Sequence, residues 1–215
     1  MKRFSIITIS IVLLLFGFAN LSLAGIIADG QVTDSDTDQS MSICTDGNCE
    51  LVSATISIWD TGTAEFQVNY DPGSFNGNSA VGISLDIDQD STTGSSNNGM
   101  GIDYAIIIYG TNFQGSGKIW NYPFTTSGIT FTTVTYLTDG VQFNIPMSLL
   151  GNDDGLFNYI VSASSQLTDS TMTFIGDSMP SNGFASTSAV PEPATMLLLG
   201  LGLIGLTGIR RKMRQ

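Results

Sequence analysis

The chain has 215 residues, with 19 acidic and seven basic side chains, two cysteines and no histidine, and its formal net charge is −12. Lack of histidine excludes the usual triad base and most transition-metal sites. The acidic excess excludes a phosphate-neutralising surface, so nucleic acid is not an expected partner.

Six of the seven basic residues sit at the two ends: Lys2 and Arg3 at one, Arg210, Arg211, Lys212 and Arg214 at the other. Between them Lys118 stands alone against eighteen acids, a formal charge of −17 over residues 25–189. The remaining polar residues there are mostly Ser, Thr, Asn, Gln and Gly, a neutral hydroxyl and amide set that suits sugars and calcium-bearing loops and is also common on extracellular proteins.

Met1-Lys2-Arg3 is a short positive region, residues 4–19 are apolar, and Ser22-Leu23-Ala24 offers the small residues that signal peptidase reads. The reading is a signal peptide over 1–24, cleaved after Ala24. An uncleaved membrane helix fits less well because the apolar core is short and a small-residue site ends it. No cysteine follows the site, so a lipoprotein anchor is not expected.

Residues 25–43, with Asp29, Asp34, Asp36 and Asp38 among Gly, Gln, Thr and Ser, lack apolar periodicity and read as a flexible acidic arm. A domain over 44–189 follows, long enough for one substantial core. It opens with Cys44-Thr45-Asp46-Gly47-Asn48-Cys49. In an exported chain this spacing favours a Cys44–Cys49 disulfide across an Asp-Gly turn; two thiols without histidine make a poor zinc set. So short a loop contributes at most about 2–3 kcal/mol.

After Cys49 come short alternating runs separated by Gly, Asn, Asp and Pro. Over 63–70, Ala64, Phe66, Val68 and Tyr70 share one face while Glu65, Gln67 and Asn69 take the other. Similar runs at 51–59, 81–87, 102–109, 118–122, 129–137, 141–145, 157–163 and 171–175 predict an all-β, antiparallel β-sandwich or jelly roll of about eight or nine strands. Pro146 starts one short helical turn at 146–150. No fixed-period repeat is visible.

The chemically loaded segment is Ser84-Leu85-Asp86-Ile87-Asp88-Gln89-Asp90-Ser91-Thr92-Thr93-Gly94. Strand parity puts Ser84, Asp86, Asp88 and, if it continues, Asp90 on one face. Carboxylates at two-residue spacing repel one another, and a hard cation with six to eight oxygen ligands relieves that repulsion. An EF-hand is rejected: Ser91 stands where the loop needs Gly, Asn97 where it needs Glu, and the flanks are strands. Calcium in a sandwich loop is one reading of the segment; a solvated acidic strand end is the other.

At the far end, Pro191-Glu192-Pro193 precedes 16 uncharged residues at 194–209 and then the basic cluster. About 20 residues normally span a bilayer, so a helix over 194–209 suits transient insertion, its basic end cytoplasmic. Motif, short span and basic end occur in the order of the PEP-CTERM tail of Gram-negative bacteria, which residues 190–215 resemble. The resemblance implies recognition by an exosortase, a membrane cysteine transpeptidase, with cleavage near Pro191, Glu192 and Pro193. It also implies delivery to the envelope surface or extracellular matrix, the protein being membrane-anchored until then.

A second likeness covers about 100 residues from Val81. Leu85-Asp86-Ile87-Asp88-Gln89-Asp90, Gly101-Ile102-Asp103-Tyr104 and Phe143-Asn144-Ile145-Pro146 look like the order of signals in DOMON and family 9 carbohydrate-binding domains. It implies a sandwich with a cation site, to which Asp103 would be added, and a sugar clamped by aromatic faces. Trp120 and Tyr122 are the preferred candidates, Trp59 and Tyr109 the others, and each can equally be core. A haem version would need an axial His or Met, and Met100, Met147, Met172 and Met179 carry no motif.

The expected protein is a noncatalytic exported surface or matrix protein with a calcium-stabilised sandwich that contacts exopolysaccharide. A hydrolase using Asp86 with Asp103, or Asp153-Asp154, is the competing class, although Asp153-Asp154-Gly155 is more simply a turn. A matrix component without ligand is the third.

Overall fold

The computed structural model describes residues 25–33, 50–72, 79–110, 116–124, 128–131, 133–151, 154–164 and 177–190. The signal segment with Ala24, the Cys44–Cys49 loop, Asp153, Met172, the strand expected at 171–175 and the tail with its 194–209 helix lie outside them. Among the described residues no helix is long and apolar enough to cross a membrane.

Strands β1 (Ile26–Thr33), β2 (Leu51–Trp59) and β3 (Thr63–Tyr70) form an antiparallel meander. β4 (Ala80–Asp86) enters a second sheet, a small hairpin of β5 (Ser95–Asn97) and β6 (Met100–Ile102) follows, and β7 (Tyr104–Tyr109), β8 (Gly117–Asn121) and β9 (Ile129–Phe131) extend the second sheet. β10 (Val134–Leu137) and β11 (Gly140–Pro146) return to the first sheet beside β3, and β12 (Asn158–Ser164) pairs with β4. Among the described residues three two-residue strands come last: β13 (Ser178–Met179) and β14 (Ala185–Ser186) on β12, and β15 (Ser188–Ala189) on β1.

The sheets therefore run β10-β11-β3-β2-β1-β15 and β13-β12-β4-β7-β8-β9, every pairing antiparallel. They face each other across one core, the layout of a β-sandwich. Ala54, Ile56, Ile58, Phe66, Val68, Val141 and Phe143 come from the first sheet, and Val81, Ile83, Leu85, Ile106, Ile108, Tyr159 and Val161 from the second. Burial alternates strictly along β3, as its period-two sequence demands. Phe66 and Phe143 are register partners with rings stacked 5.0 Å apart, and Phe131 adds its ring 5.7 Å from Phe143. The three-ring stack ties β3, β11 and the edge of the opposite sheet together.

β4 departs from alternation, with Ala80, Gly82 and Asp86 buried on its outer face too. The β5–β6 hairpin lies over that side, packing Met100 and Ile102 on Ile160 with Phe124 alongside. A 3-10 turn at Met147–Leu150 starts after Pro146 and ends at Gly151, in the left-handed region at φ 87°.

Two sequence expectations need correction. The acidic arm does not begin at residue 25, because residues 26–33 are β1, with Ala28, Gly30 and Val32 turned inward. Gly30 is what makes this strand readable only in the fold: the Tyr159 ring and Thr187 lie where its side chain would be. The run 129–137 is not one strand either, for β9 and β10 belong to different sheets.

Candidate metal centre

The site forms where β4 ends. Register opposes Asp86 to Asn158 of β12, whose Nδ2 donates to Asp86 Oδ2 at 3.1 Å; Ser186 Oγ in turn donates to Asn158 Oδ1 at 2.7 Å. Asp86 is only 1% exposed, and its Oδ1 has no hydrogen-bond partner. A buried polar atom without a partner costs about 1–3 kcal/mol, and more when the group is charged.

Asp103 occupies the break between β6 and β7 and is held by its backbone on both sides. Its N–H donates to Leu85 O at 2.8 Å, and its carbonyl accepts the Tyr122 N–H at 2.7 Å. Its Oδ2 accepts the N–H groups of Ile87 at 2.9 Å and Asp88 at 3.4 Å, so one carboxylate fixes the turn that carries the next. Burial, and then the charges of Asp88 and Asp86, push the Asp103 carboxyl above its ordinary value against the pull of those two N–H groups.

Asp88 is exposed. Its Oδ1 accepts the Asp90 N–H at 2.9 Å, and the Thr93 hydroxyl lies 3.1 Å from each of its oxygens. Two glycines make the loop compact: Gly94 has φ +63°, and a side chain at Gly101 would overlap the carbonyl oxygens of Thr93 and Asp90.

One carboxylate oxygen from each of Asp86, Asp88 and Asp103 lies within 4.8 Å of the others. Two oxygens that bind one calcium at 2.3–2.6 Å are at most about 5 Å apart, so this spread fits a shared cation. The Lys118 ammonium lies over aromatic rings, its Nζ 6.0 and 5.9 Å from the ring centroids of Tyr109 and Trp120.

Asp90 does not join the cluster. Gln89, at φ +56°, ends the strand alternation, and Asp90 Oδ1 turns to the Thr92 N–H and hydroxyl at 2.9 and 2.6 Å, which hold its carboxyl below the usual value. Trp120 takes the core alternative. It is 8% exposed, and the backbone of Gly128 packs against its indole. Tyr122, on the turn after β8, is 49% exposed and meets Phe124 edge-on at 5.7 Å. Trp59 and Tyr109 are half-buried, while Met100, Met147 and Met179 are core residues. Asp154 Oδ1 accepts the Leu156 N–H at 2.9 Å, a turn contact.

Asp88, Asp103, Tyr104, Asn121, Tyr122 and Thr93 line a cleft of about 440 Å³ beside the carboxylates. Asn158 and Asn121 were invisible as site residues in the sequence, because only strand register brings them there.

The family of the PEP-CTERM protein-sorting motif matches residues 189–212. The chain carries a PEP-CTERM sorting tail. That tail marks an exported protein handled by an exosortase through a membrane-anchored sorting intermediate. No curated protein and no solved structure matches the chain, and the DOMON and family 9 likeness rests on its motifs alone. The described fold reaches the tail directly: Ala189 is both the last residue of β15 and the first of the match.

Proposed function

We propose that this is a noncatalytic surface or extracellular-matrix protein, delivered through its PEP-CTERM tail, whose Asp86, Asp88 and Asp103 hold calcium. The cleft next to them receives exopolysaccharide, with Tyr122 as the aromatic face at its rim. The observation that carries the calcium reading is the buried, unpartnered Oδ1 of Asp86 within a three-carboxylate cluster. A hard divalent cation would satisfy that oxygen and cancel the mutual repulsion. When bound it would tie the end of β4 to the entry of β7 through Asp86 and Asp103.

The noncatalytic reading draws on the same burial. A glycosidase needs two carboxyl groups facing a scissile bond, and a pair of Asp86 with Asp103 does not offer that, since Asp86 is 1% exposed and does not line the cleft. Saccharide suits the cleft because hydroxyl and amide groups and an exposed ring line it, in a domain too acidic to attract an anion unaided.

Calorimetric titration of the mature chain with calcium chloride, and with magnesium as control, tests the first claim. Calcium binds wild type and not Asp86→Asn. Absence of calcium binding to wild type would remove the reading. Polysaccharide retention in calcium, weakened by chelator and by Tyr122→Ala, tests the second; calcium binding without retention would leave a matrix component.

A further inference from the structure

The folded domain runs into the sorting tail without a spacer. β15 pairs with β1 through Ala28↔Ala189 and Asp29↔Ser188, and the next residue, Val190, donates its N–H to Ile27 O at 2.9 Å. An enzyme that acts around Pro191, Glu192 and Pro193 must grip backbone on both sides of the bond it breaks. Extended substrates are gripped by main-chain hydrogen bonds, in the manner of an added strand. Backbone groups of residues 188–190 that are bonded to β1 cannot be offered to an enzyme at the same time.

The way this end is held changes abruptly at Thr187. That residue is 5% exposed; its N–H donates to Phe157 O at 2.9 Å, its hydroxyl donates to Gly155 O at 2.6 Å, and Oγ1 accepts the Phe157 N–H at 2.9 Å. Beyond it, Ser188 and Ala189 are exposed and Val190 is half-exposed. Main-chain hydrogen bonds therefore supply most of the attachment of this stretch, and among the described residues Thr187 is the last firmly anchored point.

We propose that residues 188–190 are a detachable recognition strand, which leaves β1 and is bound in extended form by the membrane-embedded processing enzyme while Thr187 stays fixed. Three released residues at about 3.3 Å each give about 10 Å of reach. The proposal rests on the sorting reading of the tail, and it adds that the edge of the sandwich is a substrate element of that reaction.

The test uses the full chain in cells that carry the exosortase. Asp29→Cys with Ser188→Cys locks β15 across a register pair whose members are both exposed. Opposed antiparallel residues have the Cα separation a disulfide needs. A second variant keeps the lock and repeats Ser-Ala-Val after Val190, supplying a free copy of the strand. Wild type loses its tail, the locked chain accumulates as tail-bearing precursor, and the locked chain with the free copy is processed again. Processing of the locked chain at the wild-type rate would overturn the proposal, as would failure of the free copy to restore it. A wild-type chain that keeps its tail in these cells would instead sink the sorting reading itself.

Discussion

Asp86 and Tyr159 illustrate how a buried polar atom without a partner can have opposite meanings. Asp86 Oδ1 lies in a cluster of like charges, so Asp86→Asn relieves repulsion when no cation is present and removes a ligand when calcium is. The expected result is a sign change: the variant melts higher than wild type in chelator, by about 1–3 kcal/mol, and lower in excess calcium. A variant less stable in both conditions would mean that Asp86 serves the fold alone. Asp103 adds a pH dependence. Because its folded carboxyl is raised, the ion-free protein holds that proton to higher pH than the unfolded chain does, and stability falls as pH rises through the range. Calcium requires the ionised form, so calcium stabilisation shrinks as pH is lowered through the raised titration of Asp103, which melts across pH at fixed calcium would detect.

The Tyr159 hydroxyl is also buried without a partner, but it stays protonated. Burial, and then the charge of Asp29, push it up to about 12. The unfolded chain releases this proton near pH 10, so this contribution is intact below about 10 and is lost as pH rises through about 12. Tyr159→Phe removes that share of the alkaline loss. At neutral pH it is neutral to about 1 kcal/mol stabilising; urea melts at pH 7 and 11 check both. At this scale Asp86 and Asp88 were legible, because their two-residue spacing at and just past the end of β4 does bring them to one cluster. Asp90 was not, since the left-handed turn at Gln89 leaves no trace in polarity.

At the scale of elements, strands whose two faces differ in environment were readable and the others were not. β2 and β3 occur at the expected 51–59 and 63–70, because each alternates between core and half-exposed positions. β1 buries only Ala28, Gly30 and Val32, too little apolar surface to stand out from the acidic run that follows. Trp120 and Tyr122 looked equivalent, yet the strand ends at Asn121, which leaves one ring under Gly128 and the other on an open turn. The aromatic stack joining β3 and β11 should carry much of the stability of its sheet. Phe66→Ala is expected to cost about 3–5 kcal/mol in denaturant melts, and a loss below about 1 kcal/mol would show that the stack is dispensable. Gly101→Ala should cost about 1–3 kcal/mol by overpacking against the loop, and it should weaken calcium binding as well, since the hairpin packs directly on the Asp90–Thr93 backbone.

For the whole molecule, charge and architecture point the same way. A domain with a formal charge of −17 and one lysine is poorly placed to bind anions unless a cation intervenes, and the carboxylate cluster sits beside a cleft lined by hydroxyl, amide and aromatic groups. The two sheets supply stability through a shared apolar core, while the cluster sits outside that core, under the β5–β6 hairpin. Calcium would thus act on the junction between β4 and β7 rather than on the sandwich as a whole. The sorting tail follows β15 on the first sheet, and Ser186, two residues before that strand, reaches the carboxylate cluster through Asn158 and Asp86.

Thermal unfolding of the mature chain in excess calcium and in chelator, for wild type and Asp86→Asn side by side, tests the calcium centre most directly. A hundredfold excess over Kd should add about 2.7 kcal/mol, or about 5–10 °C in Tm for a domain of this size, in wild type and not in the variant. Equal melting temperatures for wild type in calcium and in chelator would contradict the account and leave Asp86, Asp88 and Asp103 as a solvated acidic strand end.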